Sequence, residues 1–156
     1  MPYIFLAMNT EYAHEIAYQW KYDGAYAFYD MTADPDDLRE FLDENDWAER
    51  YFAVLNEQNA LVGYYLYTFE DGIMWIGFGL KPSLTGKGLG AEFVSAGIDF
   101  GVKRFGYTQD RIMLAVASFN HRAITLYERI GFKLVGTYMQ KTNGGEYEFV
   151  KMQKTL

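Results

Sequence analysis

The segment IMWIGFGLKPSLTGKGLGAEFV, residues 73–94, constrains the fold of this chain more than any other stretch. Its apolar start reads as a strand, Pro82 and three glycines read as a turn, and Leu89, Phe93, Ala96 and Phe100 then repeat at helical spacing. Glycines at the alternate positions 86, 88 and 90 leave little side chain between a ligand and the N–H groups of a helix start. The helix dipole adds positive potential there, so the turn reads as an anion site that would suit a diphosphate, with Lys87 contributing one charge. Other phosphate loops fail on spacing. Lys87 is followed by Gly88 where a Walker loop needs Ser or Thr, and Gly77 and Gly79 lead to Pro82 where a dinucleotide loop needs a third glycine.

A length of 156 residues suits one domain, and half of the residues are hydrophobic, with 14 Tyr and 12 Phe to fill a core and line a cavity. The chain has no Cys, which excludes disulfides, thiolate metal sites and cysteine nucleophiles. His14 and His121 are its only histidines, too few for a histidine-rich metal site, and no catalytic metal is expected. The first residues carry no basic start and reach Glu11 after a short apolar run, so neither a signal peptide nor a membrane span is expected, and the expected location is cytoplasmic. A net charge of -7 disfavours nucleic acid as a partner and leans toward a cationic one such as an amine.

Along the chain, residues 2–8 read as a short strand, and Asn9 or Thr10 as the cap of a helix running to about Gln19, with Ile16 and Trp20 inward. The aromatic segment 20–30 reads first as packing and second as a substrate-side wall. Asp34 and Pro35 open a second helix with Leu38, Phe41 and Leu42 on one face. Three strands follow over 51–56, 61–69 and 73–80, the last two joined by an Asp71-Gly72 hairpin signal. Residues 110–117 read as a buried strand, and 120–130 as a helix capped by Asn120 and stopped by Gly131. The tail, 132–141 and 146–152, reads as a hairpin turned at Asn143-Gly144-Gly145. The order predicts a mixed α/β fold, an antiparallel meander followed by a parallel crossover.

The run LKPSLTGKGLGAEFV, followed by SFNHRAITLYERIGFKLVG, resembles the acetyl-CoA-binding core of the GNAT superfamily of N-acyltransferases. The resemblance extends from about Tyr51 to Lys151, and it implies a single N-acetyltransferase domain over 1–156, with 1–50 a substrate-side variable region and 51–153 the cofactor core. It implies a mostly antiparallel sheet of about six to seven strands flanked by about four helices, with a parallel strand pair splayed at the cofactor site. Phe78, Gly79 and Leu80 would then be the splayed strand end whose backbone pairs with the pantetheine arm. The glycine motif falls on Thr85, Gly88 and Gly90, with Gly86, Lys87 and Leu89 between them. Thr85 departs from the family's Arg or Gln, leaving backbone N–H groups and Lys87 to meet the pyrophosphate.

Asn120 and Tyr127 share one face of their helix, about 10 Å apart along its axis. The resemblance makes Asn120 a pantetheine contact and Tyr127 a neighbour of the thioester sulfur; on their own these residues also read as an N-cap and a core aromatic. Ala123 joins the cofactor contacts, Arg122 and Arg129 could reach the phosphates or adenine, and His121 reads as solvent-facing. An activated thioester needs no covalent enzyme intermediate, so the expected reaction is direct attack by a primary amine, of a small molecule or a protein, in a ternary complex. The expected proton acceptor is a water chain to bulk, with Glu70 as the residue alternative. Thr85 and the missing base motivate a second reading, a catalytically degenerate coenzyme A-binding sensor; a third is an interaction module using the aromatics of 20–30. The hairpin tail is compatible with a homodimer through strand pairing.

Overall fold

A computed structural model describes residues 3–156. Met1 and Pro2 lie outside the described residues, so the expected first strand is seen only as β1, Ile4–Ala7. The sheet continues through β2 (Tyr51–Leu55), β3 (Leu61–Glu70), β4 (Ile73–Leu80), β5 (Arg111–Ala117), β6 (Lys133–Thr142) and β7 (Gly145–Thr155). Its seven strands lie in the order β1-β2-β3-β4-β5-β7-β6, antiparallel throughout except for the β4–β5 pair. This is the predicted mixed α/β architecture with its parallel crossover.

The helices are α1 (Thr10–Gln19), α2 (Pro35–Leu42), the single turn α3 (Glu44–Trp47), α4 (Gly90–Phe105) and α5 (His121–Arg129). Asn9 caps α1 by accepting the Tyr12 N–H at 2.8 Å, and Asp34 caps α2 by accepting from Asp36 and Asp37. The other Asp34 oxygen accepts from Asn143 N–H and the Thr142 hydroxyl, tying the β6–β7 turn to α2. Short 3₁₀ turns at Gly24–Tyr29, Met31–Ala33 and Pro82–Leu84, and α3 itself, are not legible in the sequence because segments of three to six residues show too little periodicity. Both predicted hairpins close on two residues with positive φ, Asp71 (53°) with Gly72 (79°) and Asn143 (51°) with Gly144 (77°), the geometry that matches strand twist.

Two apolar layers sandwich the sheet. One packs Ala13, Ile16 and Trp20 of the α1 region and Phe41 of α2 against Tyr51, Ala53 and Leu55; the other packs α4 and α5 against Phe52, Val54, Tyr65, Tyr67 and the β5–β7 interior. The alternation of β2 between the layers explains why all five of its residues are buried.

The buried stripe of α4 differs from the predicted one. It comprises Phe93, Val94, Gly97, Ile98 and Gly101, while Ala96 and Phe100 are half-buried and Leu89 precedes the helix. Two tyrosines of β3 cause the shift. The Tyr65 and Tyr67 rings stack 5.5 Å apart and press on the helix at Gly97 and Gly101, and their hydroxyls donate to the Phe93 carbonyl at 3.0 Å and the Gly97 carbonyl at 2.6 Å. Glycine in mid-helix normally costs up to about 1 kcal/mol against alanine, but here it makes the sockets that dock α4 on the sheet. Gly97→Ala therefore reverses the usual sign: its Cβ would stand inside the Tyr65 ring, and stability should fall by about 2 kcal/mol, or roughly 4–8 °C in Tm, measured by thermal and urea unfolding. An unchanged or raised Tm would refute the socket.

Candidate active site

β4 and β5 are registered at two residue pairs only, Met74 with Ile112 and Trp75 with Met113. Beyond them β4 stays paired to β3 as far as Leu80, and β5 stays paired to β7 as far as Ala117, but the two strands part from one another. Their facing backbone edges then have no strand to bond to, an unsatisfied state that calls for other partners. A cavity of about 710 Å³ occupies the wedge, within the range of small-ligand sites. It crosses the sheet, since Tyr64 belongs to the α1–α2 layer and Tyr127 to the α4–α5 layer and both line it.

At one end lies the glycine turn. Gly86 (φ 72°) and Gly88 (φ 76°) adopt the left-handed conformation that disfavours a side chain. The residue before α4 is Leu89, which gives no side-chain cap, whereas Asn9, Asp34, Asp43 and Asn120 each cap the helix that follows them. The start of α4 therefore has no side-chain cap to compete with an anion there. Gly90 also lets α4 and α5 approach closely, because a Cβ there would stand 2.5 Å from Leu126. The Thr85 hydroxyl donates to the Pro82 carbonyl at 2.7 Å and closes the turn. The cation at this end is Arg122, whose Nη1 lies 3.8 Å from where a Gly86 Cβ would be, with its guanidinium 4.3 Å over the Tyr26 ring.

The cavity gathers Phe78, Gly79, Leu80, Thr85, Gly86, Gly88, Gly90, Asn120, Ala123 and Tyr127 from the sequence-derived set, together with Arg122, Arg129 and an exposed His121. Lys87 and Leu89 belong to the turn but do not line it. Glu70 is misplaced for catalysis: it is exposed and pairs with Ile73 at the far end of the β3–β4 hairpin, about 16 Å along the strand from Phe78.

α5 presents Asn120 and Tyr127 to the cavity as its spacing requires. Asn120 has a double role already, its Oδ1 accepting the Ala123 N–H at 3.2 Å and its Nδ2 donating to the Tyr29 hydroxyl at 3.1 Å. Tyr127 packs edge-on against Phe78 and Phe132. Burial, with Tyr29 nearby, pushes its pKa well up, so it stays a neutral phenol.

Segment 20–30 packs against the C-terminal hairpin and also lines the cavity. Phe28 packs among Phe119, Tyr147 and Phe149, and Asn143 Nδ2 donates to its carbonyl at 2.8 Å. Tyr22, Tyr26 and Tyr29 turn into the cavity, joined by Tyr64. The Tyr22 hydroxyl donates to the Leu80 carbonyl at 2.8 Å while Tyr29 meets Asn120, so the segment bridges the mouth of the wedge from the β4 side to the α5 side. The three-residue spacing of Tyr26 and Tyr29, one face of the 3₁₀ turn, is the available signal, while Tyr22 precedes that turn. Tyr64 carried none, because an aromatic in a strand is expected in a core.

Comparison with known proteins gives a consistent result. The model of the Acetyltransferase (GNAT) family matches residues 11–132, reaching well into the first fifty residues and stopping before the final hairpin. The mycothiol acetyltransferase of Renibacterium salmoninarum is 31% identical over 105 residues, which is 62% of this chain and 30% of that protein, so the chain spans less than a third of that relative's length. A chimera of the spermidine N-acetyltransferase SpeG from Vibrio cholerae and hSSAT has the same fold, with a TM-score of 0.76 at 20% identity over 98% of this chain and 95% of that one. A GNAT-family acetyltransferase from Bacillus anthracis aligns with a TM-score of 0.72 at 18% identity, over 98% and 94% of the two chains.

Because Asn120 caps α5 and also holds Tyr29, Asn120→Ala should lower stability by about 1–2 kcal/mol in chemical denaturation. Asn120→Asp, which keeps the cap acceptor and loses the donated bond, should recover most of that loss; equal losses in the two variants would show that the cap carries none of it.

Proposed function

Since this chain belongs to the acetyltransferase (GNAT) family, we propose that it moves an acetyl group from acetyl-CoA to a primary amine by direct attack, with both bound together. The observation that carries this reading is the cavity through the sheet at the β4–β5 wedge, with an uncapped helix start at one end and tyrosines along its wall. Acetyl-CoA would bring an acyl group already activated as a thioester, so no nucleophilic side chain is needed.

The chain's own groups suit that cofactor. The N–H groups at the start of α4, the left-handed Gly86 and Gly88, and Arg122 would hold the pyrophosphate. Arg122 thus supplies the charge that Thr85 lacks and that exposed Lys87 is poorly placed to give. The unpaired edge of Phe78, Gly79 and Leu80 would accept the extended pantetheine arm as a strand accepts a neighbour, with Asn120 on the opposite side.

Among the described residues no Asp or Glu lines the cavity, so the amine's proton leaves through water to bulk. As the amine nitrogen bonds to the acyl carbon and the C–S bond breaks, Tyr127 would donate a hydrogen bond to the departing sulfur, and the thiolate would take its proton from water. A neutral phenol is the form that can do so, and its raised pKa keeps it available across the working range.

Two measurements test this. Acetyl-CoA and CoA at about 100 times Kd, but not ATP, should raise Tm by roughly 5–10 °C. Tyr127→Phe should keep that shift yet lower kcat by about 10²- to 10⁴-fold, and the wild-type rate should climb with pH as the amine deprotonates, with no falling limb from Tyr127 below about pH 10. Absence of any shift sinks the cofactor site, and unchanged turnover removes Tyr127 from the reaction.

A further inference from the structure

The hydroxyl of Tyr29 is surrounded by donors. Asn120 has a fixed orientation, because its Oδ1 accepts the Ala123 N–H at 3.2 Å, so the group it turns to Tyr29 is its Nδ2, donating at 3.1 Å. The nearby backbone group is a donor too. Ser118 N–H bonds the Glu148 carbonyl at 2.9 Å, so Ala117, one residue earlier on β5, turns its own N–H away from β7 and toward the gap, where it favours charge on the Tyr29 oxygen. The Ala117 carbonyl is engaged by the Asn120 N–H at 3.0 Å. Burial nevertheless holds the Tyr29 pKa above the ordinary phenol value, so the oxygen keeps its proton. A phenol has one O–H to give, and among the described residues no oxygen accepts this one. Tyr22 differs, since its O–H is spent on the Leu80 carbonyl at 2.8 Å. Tyr29 lines the cavity, and its segment is held from outside by the Phe28 ring among Phe119 and Tyr147 and by Asn143 Nδ2 on the Phe28 carbonyl. The cavity thus has a donor placed in advance of any ligand.

Resting on the acetyl-CoA reading, we infer that Tyr29 is a further coenzyme-binding residue, its O–H donating to an amide carbonyl of the pantetheine arm. Asn120, which Tyr29 touches, lies about 10 Å along α5 from Tyr127, the residue placed beside the sulfur. That separation suits an amide of the arm and not the thioester oxygen, which is carried on the carbon next to the sulfur. The coenzyme's phosphates belong at the other end, by Gly86 and Arg122. The unpaired edge of β4 and the Tyr29 hydroxyl would then hold the arm from two sides. A bond to an arm amide is the same before, during and after acyl transfer, so it contributes to coenzyme affinity and not to the chemical step. As a neutral hydrogen bond it is worth about 3- to 10-fold in Kd.

The test is calorimetric titration with CoA and with adenosine 3′,5′-bisphosphate, the coenzyme's nucleotide half without the arm, together with kinetics in acetyl-CoA. Tyr29→Phe should weaken CoA by about 3- to 10-fold and leave the bisphosphate within about twofold, and its kinetic effect should fall on KM for acetyl-CoA rather than on kcat. Asn120→Asp reports the direction of the proton. It keeps the cap acceptor and gives Tyr29 a carboxylate to donate to, so it should itself weaken CoA by about threefold or more, and adding Tyr29→Phe to it should cost less than about twofold further. Unchanged CoA affinity in Tyr29→Phe, an equal loss of the bisphosphate, a loss confined to kcat, or the full loss in the Asn120→Asp background overturns the inference and leaves the coenzyme site standing. CoA held by Asn120→Asp as tightly as by the wild type overturns it equally, even where Tyr29→Phe fails to fold. CoA that does not bind the wild type is a different outcome, because it overturns the acetyl-CoA reading as well.

Discussion

A parallel pairing that ends after two residue pairs is the constraint on which the rest of this structure depends. Had β4 and β5 continued side by side, their backbone groups would have satisfied one another and the sheet would have been closed to any ligand. Instead each strand keeps its outer partner, and Ile76–Leu80 and Leu114–Val116 face a cavity. Buried backbone N–H and C=O groups do not remain unpaired cheaply. The chain meets part of that demand with Tyr22 on the Leu80 carbonyl, and the remainder suits an extended ligand with its own amide groups.

Keeping the wedge open requires that both helices stand in fixed places around it. The Tyr65 and Tyr67 sockets lock α4 to β3, which brings its uncapped start to the lip of the gap. Gly90 then admits Leu126, so α5 lies close to that start, presents Asn120 and Tyr127 along one face and adds Arg122 to the same cavity. The 24–29 turn crosses the other side, pinned by Phe28 among the rings of Phe119, Tyr147 and Phe149. The α5 side chains, tyrosine wall and strand edges are thus placed by core packing, and Tyr22 on Leu80, Tyr29 on Asn120 and Arg122 over Tyr26 tie them together.

Much of this architecture is legible in the amino-acid sequence. Cap residues Asn9, Asp34 and Asn120, the hairpin pairs Asp71-Gly72 and Asn143-Gly144, and the glycine turn are local signals, set by dihedral preference and by side chains reaching three residues along the chain. The site elements that rest on such signals fall where the sequence puts them. Lys87 and Glu70 do not, because nearness in sequence to a turn or a strand end says nothing about direction: Lys87 projects to solvent, and Glu70 sits at the wrong end of its hairpin. Gly97 and Gly101 pass as ordinary helix residues in the sequence, since the tyrosines that need their missing side chains lie about 30 positions earlier.

The sequence by itself determined the order of elements, the two hairpin turns, the capped helix starts and the presence of a glycine-rich turn before α4, because each depends on forces acting within a few residues. Only the tertiary structure decided that Arg122 lies beside Gly86, that Tyr22 and Tyr29 bridge the wedge, and that Tyr64 completes a wall without carboxylates. Those relations join residues tens of positions apart, and their geometry follows from how helices seat on a sheet, which local propensity does not encode.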